Sequence, residues 1–207
     1  MQPFTKISAV AMPLDRINVD TDQIIPARYL RKSRRHPDYA TYLFHDLRFD
    51  GDGNEKPEFI LNQEPYRKAQ IIVADVNFGC GSSREGAVFA LAAYGFRSVI
   101  AASFGDIHYN NCFKNGVLPI RLDEKTLAGL RAQLFDQPGA SIEIDLEAQT
   151  VTAPDGTQHA FDIDPFRKRC LLEGLDDIGL TLEHEDRMAA FAETYQGNFG
   201  WAVPEQA

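Results

Sequence analysis

The apolar positions change period several times along the 207 residues, and each change marks an element. TKISAVAMPL (Thr5 to Leu14) alternates apolar and polar, the pattern of a half-buried strand. AQIIVADV (Ala69 to Val76) is a continuous apolar run, the mark of a strand covered on both faces in a parallel sheet. SVIAA (Ser98 to Ala102) and VLPIRL (Val117 to Leu122) are of the same kind. Helical patterns over Ser83 to Tyr94 and Gly105 to Gly116 separate these runs, with Gly95 and Gly116 as stop signals. The order strand, helix, strand, helix, strand predicts right-handed parallel crossovers. A further helix is expected over Glu124 to Phe135. SIEIDLEAQTVTAPDGTQHAF then returns to period two and turns at Asp155-Gly156, an antiparallel hairpin signal. DPFRKRCLLEG reads as a helix with Asp164 as N-cap, Pro165 at its first position and Gly174 just past its end. A last helix is expected near His184 to Tyr195, with a loose tail over 196–207. In NVDTDQIIPARYL (Asn18 to Leu30), Pro26 suits the start of a short helix. The charged, turn-rich stretch that follows is expected to be a mobile loop over 28–39, with a short helix near Tyr39 to His45. The pattern defines an α/β fold in one domain: a parallel central sheet, an antiparallel second layer, and helices.

Composition narrows the function. The chain carries a net charge of −9, a poor match to nonspecific nucleic-acid binding, which needs clustered Lys and Arg. No apolar run is long enough to span a bilayer, and MQPFTKISAVAMPLDR lacks the layout of a signal peptide. Cys80, Cys112 and Cys170 are widely spaced with no CxxC, which fits a reducing, cytoplasmic setting and offers no usual iron–sulfur or zinc spacing.

Candidate chemistry concentrates in NFGCGSSREG (Asn77 to Gly86), at a strand-to-helix joint. Gly79, Gly81 and Gly86 do not have the GxGxxG spacing of a dinucleotide fold. Ala87-Val88 stand where a P-loop has Lys and Ser or Thr, and no GxSxG elbow exists. What remains is a glycine turn whose free N–H groups, with the Arg84 fork, suit an anionic ligand. Ser82-x-x-Glu85 also fits a capping box, which accounts for those two residues without function. Asp20, Thr21 and Asp22 form a second cluster, equally readable as a solvated turn. Arg28, Arg31, Lys32, Arg34 and Arg35 form a third, either an exposed basic face or a cationic loop that closes on an anion. His108 reads as a packed helix residue rather than a metal ligand.

NVDTDQIIPARYL, NFGCGSSRE and VIAASFGDIHYNNCFKNGVLPI, in this order, resemble the small-subunit family of 3-isopropylmalate dehydratases and the swivelling C-terminal domain of aconitase. The resemblance runs from about Phe4 to Leu182. It implies a swivelling β/β/α three-layer domain and a hydro-lyase that moves a hydroxyl between adjacent carbons of a dicarboxylate, in leucine biosynthesis. It implies a large-subunit partner holding a [4Fe–4S] cluster, and none bound by this chain. By motif match Ser82 is the general base, Arg84 anchors a substrate carboxylate, and Ser83, Asp22 and Thr21 complete the site. The substrate arginine of the loop falls at Arg34 or Arg35. The family usually reads GSSREH, and Gly86 stands here in place of that histidine; the loop also lacks an expected Thr-Gly pair. Related readings are the same chemistry on citramalate or a methyl-substituted malate, and a stand-alone anion- or RNA-binding module.

Overall fold

A computed structural model describes residues 1–202. Strand β1 (Lys6–Pro13) leads through short helices α1 (Thr21–Ile24) and α2 (His45–Arg48) to β2 (Ile71–Val73). Then follow α3 (Glu85–Tyr94), β3 (Ser98–Ala101), α4 (Asp106–Lys114), β4 (Leu118–Arg121) and α5 (Glu124–Asp136). Strands β5 (Ser141–Asp145), β6 (Thr150–Thr152) and β7 (Gln158–Ala160) precede α6 (Pro165–Glu173), α7 (Asp177–Leu182) and α8 (Glu185–Asn198).

The sheet has seven strands in the order β4-β3-β2-β1-β5-β6-β7. Both expected strand sets are present, and β1 belongs to both. Its last residues pair parallel with β2 (Ala11 with Ile71, Pro13 with Val73), while Lys6 to Val10 pair antiparallel with β5. The continuous apolar runs are buried on both faces for the expected reason. Ile72 and Val99 face a core with α3 and the 24–66 segment, whereas Ile71, Val73 and Ile100 face a second core with Leu127, Leu130 and Leu134 of α5.

The sequence signals at the helix ends hold in α6, where the Asp164 side chain accepts from Arg167 N–H and Gly174 is left-handed. The segment expected to hold one short helix near Tyr39 to His45 forms a 3-10 turn (Tyr39–Tyr42) and α2. Pro26 precedes a 3-10 turn (Ala27–Tyr29). Helix α1 was not foreseen; Asp20 caps it, accepting from Gln23 N–H at 2.7 Å. Helix α8 continues to Asn198 and a 3-10 turn covers Gly200–Ala202; the remainder of the expected loose tail, 203–207, lies outside the described residues.

Candidate active site

The site lies beyond the carboxyl ends of β1, β2 and β3, the usual ligand position in open α/β sheets. Past β2 the chain makes isolated parallel bridges from Phe78 to Phe104 and from Cys80 to Asp20. Gly79 and Gly81 have φ of +71° and +89°, a region that L side chains rarely adopt. A Cβ on Gly79 would fall 2.2 Å from Cγ of His108, so the turn lies directly against the imidazole in the first turn of α4. A Cβ on Gly105 would fall 2.4 Å from the Gly79 carbonyl oxygen, so two backbones meet here with no room for a side chain.

Thr21 clamps the turn from the other side. Its N–H donates to the Cys80 carbonyl at 2.9 Å and its hydroxyl to the Ser82 carbonyl at 2.8 Å, and it is buried. Ser82 and Ser83 are exposed and have no regular structure. Helix α3 begins at Glu85, not Ser83, with extended Arg84 as N-cap and no side-chain cap bond. The capping box is therefore not formed. Ser82 stays in the glycine turn, three residues before the first helical residue, and among the described residues no hydrogen bond joins its hydroxyl to the Glu85 N–H. Glu85 instead accepts from Asn115 Nδ2 at 3.0 Å. Among the described residues none accepts from the N–H groups of Ser82, Ser83 and Arg84, which leaves consecutive donors free beside the serine hydroxyls.

The Arg84 side chain is 17% exposed and ion-paired with the exposed Asp22 carboxylate. The DTD stretch thus divides its work: Asp20 caps α1, Thr21 holds the turn, and Asp22 orients Arg84. Thr21, Ser82, Ser83 and Arg84 converge on one pocket of about 230 Å³. A larger cleft of about 730 Å³ lies at the opposite, amino ends of the parallel strands, near Gln70, Arg97 and Gly116, and gathers no comparable set of hydroxyls and free N–H groups.

The pocket also includes His108, whose place there the sequence reading missed. It is buried, packs edge to face on Phe78 with ring centroids 5.5 Å apart, and neither ring nitrogen has a hydrogen-bond partner among the described residues. Desolvation pushes its pKa down from 6.5 to about 4, so the imidazole is neutral at physiological pH. Desolvation, with the Asp20 carboxylate nearby, raises the Cys80 thiol above its ordinary value, which disfavours the thiolate a nucleophile would need. The one sequence signal for His108 was its position in α4 after SFGD; nothing in its spacing tied it to the glycine turn.

Arg34 and Arg35 are not brought to this pocket. The Arg34 guanidinium lies 3.2 Å from the Phe89 ring centroid and donates to Asn115 Oδ1 at 3.3 Å, in a neighbouring depression with Glu85 and Lys114. The Arg35 backbone N–H donates to Ser33 Oγ, and the residue is exposed. The loop carrying them is pinned at both ends. Tyr29 stacks on Tyr42 with centroids 4.2 Å apart, and Tyr39 is buried against the same ring. Arg28 is tied to Asp46, while Arg31 to Arg35 are all exposed. Gly86 is where this loop seats: a Cβ there would fall 3.1 Å from Leu30 Cδ2 and 3.6 Å from Tyr39 Oη.

The cysteines are free, two of them buried, and among the described residues no group of three His, Cys, Asp or Glu could hold a metal ion. The described residues therefore do not offer the ligand set of an iron–sulfur cluster. No described helix is long and apolar enough to cross a membrane.

Turn, clamp and sheet together define an aconitase-type domain, and the family model described as the aconitase C-terminal domain matches residues 1–125. A second model, LeuD_N, matches residues 128–165. The 3-isopropylmalate dehydratase small subunit of Roseobacter denitrificans is 52% identical over 194 residues, covering 94% of this chain and 96% of that protein. The corresponding protein of Paramagnetospirillum magneticum is 49% identical and covers 97% of this chain and all of that protein. The crystal structure of a 3-isopropylmalate dehydratase from Methanocaldococcus jannaschii superposes with a TM-score of 0.66 at 26% identity, covering 89% of this chain and 98% of that one. The chain belongs to the family of 3-isopropylmalate dehydratase small subunits.

Proposed function

We propose that the chain is the small subunit of a cytoplasmic hydro-lyase that, with a large subunit, interconverts 2- and 3-isopropylmalate by dehydration and rehydration. The observation that carries this reading is the pocket lined by Ser82, Ser83 and Arg84, whose backbone N–H groups have no acceptor among the described residues, with Arg84 ion-paired to Asp22. Arg84 binds one carboxylate of the substrate through its fork, and Ser82 removes the proton from the carbon next to a carboxylate. The proton moves to the Ser82 alkoxide, the hydroxyl leaves the neighbouring carbon as water after taking a second proton from an acid of the large subunit, and a carbon–carbon double bond forms. Rehydration returns the proton and hydroxyl with their positions exchanged. A serine hydroxyl is a weak base, and the free N–H groups with Arg84 supply the positive field that favours its alkoxide. The [4Fe–4S] cluster, and with it the chemistry of the departing hydroxyl, belongs to the large subunit.

At about 230 Å³ the pocket is smaller than the ~300–1,000 Å³ of complete small-molecule sites, as suits one wall of a site closed by a partner. Substrate selection falls to the exposed part of the loop, where Arg34 or Arg35 reaches substrate once it rearranges on the assembled enzyme. The test is steady-state kinetics of the reconstituted heteromer with Ser82→Ala. Turnover is expected to drop by roughly 10²-fold or more with little change in KM. Stability should move by less than ~0.5 kcal/mol, because Ser82 caps no helix. A variant that turns over at the parent rate refutes the assignment.

A further inference from the structure

Gly86 lies in the first turn of α3, just past Arg84, and its φ is not positive. The backbone there does not call for glycine, and inside a helix glycine is less favourable than alanine. No other backbone crosses it, unlike Gly105. The atoms that a Cβ would meet are all side-chain ends: Leu30 Cδ2 at 3.1 Å, Tyr39 Oη at 3.6 Å and Ile25 Cγ2 at 4.0 Å. What the missing side chain leaves is room, and the two ends of one loop take it. Leu30 stands directly before the exposed run Arg31 to Arg35, and the buried Tyr39 closes the loop. One turn further along the same face of α3, the Phe89 ring holds the Arg34 guanidinium 3.2 Å from its centroid. Ile25 is fully buried, so a larger side chain at position 86 is met by outward movement of the loop; Leu30, 40% exposed, has solvent to move into.

We infer that Gly86 is a positioning residue for substrate binding: by bringing no side chain it seats both ends of the cationic loop on α3, and so sets the reach of the loop's arginines toward the substrate. The inference rests on the reading above, in which the exposed part of this loop meets the substrate. Arg31 to Arg35 hang between the two seated ends, and the seat lies on the helix that starts beside Arg84. One glycine therefore fixes the loop's cations relative to the Arg84 fork. A shift of the seat by an ångström or so moves them off the substrate's charge, where small displacements are costly.

The experiment uses the heteromer reconstituted from the full chain and the large subunit. The variants are Gly86→Ala, Gly86→Leu, Leu30→Ala, and Gly86→Leu with Leu30→Ala, which moves the same side chain across the contact. Steady-state kinetics on 2-isopropylmalate accompany thermal melts of each small subunit alone. Gly86→Ala should melt at or above the parent, because alanine suits a helix and Leu30 has to yield by only a few tenths of an ångström. Gly86→Leu should raise KM at least ~10-fold with kcat within ~3-fold, the size and kind of change expected when a hydrogen bond to a charged group of the bound substrate is lost. In the Leu30→Ala background the same substitution should raise KM by less than ~3-fold, since the side chain that it displaces is gone. A lowered melt for Gly86→Ala overturns the inference, because it gives the glycine to the fold. So does a Gly86→Leu enzyme that keeps the parent's KM, one that loses kcat rather than affinity, or an equal rise in KM with and without Leu30. Those outcomes leave the small-subunit reading standing; a parent heteromer that does not turn over 2-isopropylmalate overturns that reading, and this inference with it.

Discussion

His108 should make the fold sensitive to mild acid, and replacing it by phenylalanine should remove that sensitivity. The imidazole is buried beneath Gly79 with both nitrogens unpaired, and its pKa falls from 6.5 to about 4 on folding. The unfolded chain takes up a proton below about pH 6.5 that the folded chain refuses until about pH 4. The neutral form's contribution is therefore complete above pH 6.5 and is lost as pH falls through that window. At 1.36 kcal/mol per pH unit the full loss is roughly 3 kcal/mol, of which about 2 kcal/mol falls between pH 7 and pH 5. His108→Phe keeps the ring, the edge-to-face contact with Phe78 and the support under the turn. It also removes two buried polar atoms that lack partners, so at pH 7 it should be neutral or stabilising by about 1 kcal/mol. None of the other four histidines is buried. The capping and ion-paired carboxylates, such as Asp46 and Asp123, have lowered pKa values and lose their contributions further into acid, equally in both proteins. Urea unfolding at intervals from pH 7.5 to pH 4.5 measures the difference. The parent should lose about 2 kcal/mol more than the variant between pH 7 and pH 5. Parallel profiles would show that the imidazole is solvated or partnered in solution, and the argument would fail.

Gly79→Ala should destabilise the fold by more than ~3 kcal/mol, combining a left-handed φ with a collision on His108. Gly53→Ala, at φ +86° with open space around it, should cost only about 1 kcal/mol, and equal urea midpoints for the two variants would remove the close-contact argument. Arg84→Lys keeps the charge but loses the fork; in the assembled enzyme KM for the dicarboxylate should rise by about 10-fold with kcat changed less, and an unaltered KM would take Arg84 out of carboxylate binding. Amide exchange of the isolated chain should be fast across Arg31 to Asp38 and slow at Phe44, whose N–H donates to the Ile24 carbonyl at 2.8 Å; equal protection of the two would show the loop to be fixed without a partner.

The sequence by itself determined the strands and helices of the core, because apolar periodicity and end signals act over a few residues. The Asp164 cap of α6, the Gly95 stop of α3 and the alternation within Ile71-Ile72-Val73 are local facts that the fold reproduces. It also singled out the residues of the glycine turn and Arg84, since a turn with positive φ restricts which residues can occupy it. Their partners lay outside its reach. Nothing local indicated that Thr21 would bind the Ser82 carbonyl across 61 positions, or that Asp22 would hold Arg84 across 62. Ser82 and Glu85 satisfied a capping pattern by spacing alone, but the pull of Thr21 and the crossing of Gly79 with Gly105 keep Ser82 out of the helix. His108 looked like any packed helix residue until α4 was laid under the turn. Arg34 was drawn to Phe89 and Asn115, contacts that exist only once the loop meets α3 and α4. Local chemistry fixes which residues can form an element or a turn; only packing decides which of their donors, acceptors and charges are already spent, and so which remain for a substrate.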